Sequence, residues 1–205
     1  MERQGWAIAA FALFITVNSQ SASGQELAPV NVAIHDSADV DAAVLDAARA
    51  RASRVFQRAG VRVNWDGTSA GFRVQVLLRP RNAQASPGKP RIMGVALAAD
   101  EHRAVLSLFF DAVADVARRY GTPVGEVLGI ALAHEMGHVL LPPPSHSADG
   151  IMQGSWEGDD LRHALNGELA FTGDQAEQIR MRLRRNLGPA VLEGDGAVEH
   201  RRVRP

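Results

Sequence analysis

The chain has 205 residues, a formal net charge of -1 and no cysteine. Acids and bases are interspersed, so there is no electrostatic footprint for nucleic acid. Without thiols, a disulfide framework, a lipid-modified cysteine and a thiolate metal site are all excluded, and any metal must be held by histidines and carboxylates.

The first residues, Met1 to Gln4, are polar and are followed by an apolar run from Gly5 to Val17. That run is too short to span a bilayer, and the small residues from Asn18 to Gly24 fit a signal-peptidase site. Residues 1–24 therefore read as a signal peptide cleaved near Ser23 or Gly24. An uncleaved anchor is the competing reading, because the n-region carries only Arg3 and the amino terminus against Glu2. Cleavage predicts a secreted or periplasmic protein with no stable membrane anchor. About 180 residues remain, enough for one domain over 25–188, and the Gly- and charge-rich stretch 189–205 reads as a disordered tail.

Alternation of apolar and polar residues predicts a first strand over Pro29–Asp36, with His35 at the surface. From Asp39 to Ala59 the pattern turns helical, with Val40, Val44, Ala48, Ala52 and Val55 on one stripe and Gly60 as the stop. Val61–Trp65 and Phe72–Leu78 follow as strands, separated by a turn at Asp66-Gly67. Asn82–Pro90 has the composition of an exposed loop. Ile92–Ala98 and Ala104–Phe110 are the next strands, joined by a charged turn that contains His102. Asp111–Tyr120 reads as a short helix ending at Gly121.

Thr122 and Pro123 then offer an N-cap and a first helical residue for a long apolar helix that Pro142-Pro143-Pro144 brings to a stop. A last helix is expected from about Thr172 to Leu187, its Arg180, Arg182, Arg184 and Arg185 forming a solvated face. Between the two lie Ser145-His146-Ser147, Gly150-Ile151-Met152, Trp156 and an acidic patch of Glu157, Asp159 and Asp160.

The long helix carries His134-Glu135-Met136-Gly137-His138, the HExxH pattern. Positions i and i+4 share one helical face, so both imidazoles reach one metal ion and the glutamate lies beside the metal's water. A shuffled chain of this composition shows the pattern at roughly the one per cent level, which makes accident a poor explanation. Two core histidines and a carboxylate without partners among Ile130, Leu132, Met136 and Val139 would cost several kcal/mol by the usual price of burying polar groups. Catalytic zinc takes three protein ligands and leaves one position open. His146, eight residues beyond His138 and just past the proline exit, is the leading third ligand, with Asp149, Glu157 and Glu168 as alternatives.

Through HEMGH, the downstream histidine of PSHS and the methionine of GIMQ, the chain resembles the zincin metallopeptidases and among them the metzincins. The metzincin pattern H-E-x-x-H-x-x-G-x-x-H has a shorter interval before its third histidine, and a glycine where this chain has Leu141 and three prolines. The segment AHEMGHVLLPPPSHSADGIMQGSW is also similar to a group of small exported bacterial proteins. The resemblance implies an α+β, zincin-like fold: a twisted mixed sheet of about five strands, a long backing helix, an active-site helix and a small C-terminal helical part. It implies that Met152 forms an apolar floor under the metal, and that an edge strand, Met93–Leu97 by chain order, lines the cleft and pairs with an extended substrate. The downstream tyrosine of some metzincins is missing, since Tyr120 is the sole tyrosine and precedes the motif.

The expected function is an exported metallopeptidase. One Zn2+ per chain would be held by His134, His138 and His146, with Glu135 as general base toward the attacking water and proton donor to the leaving amine. Its partner would be a peptide or protein substrate and not nucleic acid; oligomeric state stays open. Competing readings are a metal-binding exported domain without proteolysis and a cell-wall peptide or amide hydrolase.

Overall fold

The computed structural model describes residues 27–81, 92–154, 162, 166 and 168–187. The signal segment, the Asn82–Pro90 loop, Trp156, the acidic residues Glu157, Asp159 and Asp160, and the 189–205 tail lie outside the described residues.

The architecture is α+β, built on a five-stranded mixed sheet. Strand β1 (Ala28–Asp36) leads through helix α1 (Ala42–Arg58) to β2 (Val61–Trp65). Strands β3 (Phe72–Arg79), β4 (Gly94–Ala99) and β5 (Arg103–Phe109) follow, then helices α2 (Phe110–Tyr120), α3 (Val124–Leu140) and α4 (Gly173–Arg185). The strand order is β2-β1-β3-β5-β4. Neighbours run parallel except β4, which lies antiparallel to β5 at the sheet's edge with a register shift between Ala96 and Ala98.

One face of the sheet is covered and the other is largely open. Along β3 the residues Phe72, Val74, Val76 and Leu78 are buried, while Arg73, Gln75 and Arg79 between them are exposed. This period of two is the signature of a half-covered sheet and is why the strands were legible. Helix α1 begins at Asp41, whose side chain caps the Ala43 N–H at 2.8 Å. It buries Ala48, Ala52, Val55 and Phe56, and Trp65 of β2 donates its indole N–H to Ser53 at 3.0 Å.

Helix α3 lies beside α1 on that same face. The two approach closely because Gly125 and Gly129 carry no Cβ: at Gly125 one would stand 2.9 Å from the Val44 carbonyl, and at Gly129 2.6 Å from the Ala48 carbonyl. Arg51 of α1 and Glu126 of α3 form an ion pair across the contact, with Arg51 buried. The start of α3 departs from expectation by one residue. Pro123 is the N-cap, with no side-chain capping bond, and Thr122 sits outside the helix with its N–H donated to the Ala117 carbonyl at 2.9 Å.

The open face has one polar anchor. The β2–β3 connection crosses over β1, and the buried Asn31 holds it by donating to the Ser69 carbonyl at 3.0 Å and accepting from Ser69 Oγ and Asn64. The arginines of α4 correct the expectation of a wholly solvated face. Arg180 donates to the Ala59 carbonyl at 2.8 Å, and Arg182 donates to the Asp100 carbonyl and lies over the Phe72 ring. Both are half-buried because α4 docks across the end of the sheet through Ile179 and Leu183; only Arg184 and Arg185 face solvent. Among the described residues no helix is long and apolar enough to cross a membrane.

Candidate metal centre

Helix α3 is buried along most of its length, Val127 to Ala133 included, so the polar groups of its last turns sit at the edge of the core. It ends where Leu141 turns extended, its N–H still bonded to the Gly137 carbonyl at 2.9 Å, and the three prolines carry the chain away.

The next segment turns back toward the helix and is pinned on both sides of His146. On one side Ser145 Oγ lies 2.6 Å from His138 Nδ1. On the other the Ser147 N–H donates to the Met152 carbonyl at 3.0 Å. As a result His134, His138 and His146 form one cluster whose candidate ligand atoms all lie within 4.8 Å of one another. Their ring centroids are 4.6 Å, 4.7 Å and 5.6 Å apart. Asp149 and Glu168 are exposed and stay out of the cluster, so the two described alternatives to His146 are not brought to it.

Nitrogen chemistry decides what the cluster suits. His134 donates its Nδ1–H to the Ile151 carbonyl at 2.7 Å, because a carbonyl only accepts; its Nε2 is therefore a bare lone pair. His138 Nε2 faces it at 3.0 Å, while its own Nδ1 is engaged by Ser145. With His138 Nδ1–H donated to Ser145 Oγ, both Nε2 atoms present lone pairs to one point, as a shared cation requires; with Nδ1 accepting from the Ser145 hydroxyl, the same contact is an Nε2–H···Nε2 hydrogen bond. Nitrogens bound tetrahedrally at about 2.0–2.1 Å stand roughly 3.3 Å apart, close to this spacing. An additional proton on either ring is disfavoured. Burial lowers the His134 pKa, partly opposed by the Ile151 hydrogen bond and helped by His146. Burial, then the charges of His134 and His146, brings His138 down to about 4. The donor set thus fits a divalent metal ion, with outer partners that orient the rings.

Glu135 projects into the same space. Its residue is 8% exposed, and burial alone raises its pKa to about 7. No described residue gives its carboxylate a hydrogen bond. Gly94 of β4 lies against it: a Cβ there would be 2.8 Å from Oε1. Below the helix, Met152 is fully buried and packs against Gly137, where a Cβ would collide with its sulfur and with Phe171. The turn that presents Met152 uses Gly150 at φ +80°, where an added Cβ would also strike the Ala170 carbonyl. Ile151 between them donates its N–H to that carbonyl at 3.0 Å and accepts from His134 with its own.

His134, Glu135, His138 and His146 floor a cleft of about 730 Å³. One wall is Ile92 to Ala96, on the sheet edge that β5 leaves open, and the other is α2. Sequence reasoning missed Ser145, the Ile151 carbonyl, Gly94 and the wall made by α2. Ser145 adjoins His146 and was findable as a hydroxyl beside a ligand, whereas Gly94 had no local signal. His35 and His102 lie apart from the site at the surface, His102 with Nδ1 2.7 Å from Asn186 Oδ1.

The fold and the cluster together define an α+β protein with a three-histidine site able to hold a metal ion. No protein-family model matches the chain, and no curated protein matches it significantly.

Proposed function

We propose that the protein is an exported, zinc-dependent metallopeptidase with a zincin-like fold, metzincin-like in its motif. The observation that carries this reading is a buried, unengaged Glu135 carboxylate beside three convergent imidazoles at the floor of a cleft whose wall is an open strand edge. Zinc suits an all-nitrogen set of three neutral imidazoles, and when bound there it supplies Lewis acidity toward a carbonyl and toward water.

The remaining steps belong to this chain's residues. His134, His138 and His146 hold the ion, with two of the rings locked by Ile151 and Ser145. Glu135, buried at the cleft floor beside the three imidazoles, takes a proton from the attacking water and passes it to the leaving nitrogen. The open edge of β4 offers backbone groups to an extended peptide, which gives affinity with little sequence selectivity. Met152 supports the metal end of α3 from below, in the position of a Met-turn. Export rests on the apolar N-terminal run and its small-residue exit.

The test is elemental analysis of the purified protein beside its Glu135→Ala variant, with both assayed on peptide libraries and on purified cell-wall fragments. One zinc per chain in both proteins, with cleavage in the wild type alone, is the expected result. Metal without cleavage of any substrate would assign the site to a non-proteolytic binding domain. Cleavage confined to wall fragments would make the protein a cell-wall hydrolase. Cleavage that persists in Glu135→Ala would overturn the mechanism.

A further inference from the structure

Helix α2 contributes Ala112, Asp115, Val116, Arg119 and Tyr120 to the cleft. These recur at intervals of three and four, so a single face of α2 looks into the cleft along its length. The chain path orients that face. Phe109, just before α2, donates its N–H to the Met93 carbonyl at 2.8 Å, next to the Gly94 that lies against Glu135. The first turn of α2 therefore stands at the metal end. Its last residue, Tyr120, leads directly into α3, whose first residue, Val124, lies about 15 Å along the helix axis from His134 at 1.5 Å per residue. Arg119 and Tyr120 mark the far end of the cleft.

The charges on this wall are unequal. Asp115 is matched by Arg118, which donates to it at 2.9 Å. Arg119 is exposed and has no hydrogen bond or ion pair with any described residue. The rest of the cleft lining is mostly apolar, with Ile92, Met93, Val95, Ala96 and Val116. A guanidinium at the end of an apolar channel is a forked donor without a partner among the described residues, and a carboxylate is the group it fits best.

We infer that the cleft selects peptides bearing a carboxylate on the C-terminal side of the cleaved bond, bound by Arg119. This rests on the peptidase reading. The side follows from strand direction. β4 begins beside α2 and runs away to Ala99, so a substrate pairing antiparallel with its free edge runs toward α2 and delivers its C-terminal portion there. At about 3.3 Å per extended residue, the span from the metal end to Arg119 places the carboxylate roughly three or four residues past the bond. An acidic side chain or a chain-terminal carboxylate meets the same chemistry.

The experiment separates this from the hydrolytic reading by measuring binding as well as cleavage. Zinc-loaded Glu135→Gln protein is titrated by fluorescence anisotropy with labelled ten-residue peptides. Each peptide has an apolar centre and one glutamate moved through every position, against glutamine at the same place, with free-acid and amidated ends compared. A glutamate three or four residues C-terminal to the central bond, or a free carboxylate there, should tighten binding about tenfold, less at high salt. The acid-to-neutral ratio should fall to about one in Arg119→Gln/Glu135→Gln and return in part with Arg119→Lys. Wild-type enzyme is run on the same panel by mass spectrometry. Acid-selective binding that depends on Arg119 but comes without cleavage would keep Arg119 as a carboxylate site and remove the peptidase reading, and with it the assignment to one side of a cleaved bond. Cleavage with no acid preference, a preference on the N-terminal side, or one that survives Arg119→Gln would overturn the inference while leaving the peptidase intact.

Discussion

Gly94 and Glu135 lie in direct contact across the cleft floor, with the β4 backbone so close to the carboxylate that any side chain at 94 would enter the space Oε1 occupies. The edge strand thereby positions the proposed base and closes it off from water on one side. Gly94→Ala should displace either the carboxylate or the strand by about an ångström, a misplacement that typically costs about a hundredfold in turnover. Zinc content should be unchanged, because no metal ligand is touched. Turnover within a factor of two or three of wild type would show that the cleft absorbs the methyl group.

Ser145 orients His138 through the 2.6 Å contact at Nδ1. Its removal leaves the three ligands in place and frees one ring. Outer partners of this kind are worth about 10- to 100-fold in metal affinity, and Ser145→Ala should lower zinc affinity within that range in a competition against a calibrated chelator. His146→Ala should lose zinc outright under the same chelator washing. Full retention there would move the third ligand off His146.

Met152 is fully buried beneath Gly137 as part of the main core, and a packing role separates from a role at the metal by substitution. Met152→Ala opens a cavity beneath Gly137 and should cost about 2–5 kcal/mol in unfolding experiments. Met152→Leu keeps the volume and should cost less than about 1.5 kcal/mol. If the thioether only fills space, the leucine variant will bind zinc and turn over like wild type. A selective loss of turnover at normal stability would assign the sulfur a role at the metal.

The stability of metal-free protein should rise with pH between 4.5 and 6.5 less steeply than its two histidine shifts alone would give, because the Glu135 shift opposes them there. His138 falls from 6.5 to about 4, chiefly through burial. Within that interval the unfolded chain binds a proton that the folded chain does not, so stability is lost as pH drops. His134 shifts in the same direction. Glu135 rises from 4.5 to about 7, so between those values the folded chain keeps a proton the unfolded chain has released, and stability is lost as pH rises. Glu135→Gln removes the second effect alone, so its melting temperature should climb with pH across the window by at least about 2–4 °C. A flat profile in the variant would count against the buried neutral histidines. Zinc should add an acid-side loss to both proteins, since protons compete for the same nitrogens.

Much of the fold was readable because the sheet is half-covered. A parallel sheet buried on both faces would have shown unbroken apolar runs, whereas Phe72 to Val76 alternates residue by residue. The boundary errors fall where local signals compete, as at Thr122, where a good N-cap residue precedes a proline that takes the cap itself. The α4 arginines misled for a different reason. Their long side chains look solvated in any helical projection, and only the nearby Ala59 and Asp100 carbonyls and the Phe72 ring give Arg180 and Arg182 something to hold.

His134, Glu135 and His138 are one turn of one helix, so the sequence by itself determined their common face and their chemistry. The same holds for the helix stop at Pro142 and for the exclusion of thiolate ligands. His146 was a reasoned choice among four residues, and the return of its loop depends on hydrogen bonds of Ser145 with His138 and of Ser147 with Met152 that form only once the chain has turned back on the helix. Tertiary structure alone decided that Gly94 meets Glu135, that the Ile151 carbonyl sets the tautomer of His134, and that α2 forms a wall with Arg119 at its end. Those are contacts between elements. Local propensity fixes how each element folds, but the distance between two elements follows from how their apolar faces pack, and no single stretch of sequence carries that information.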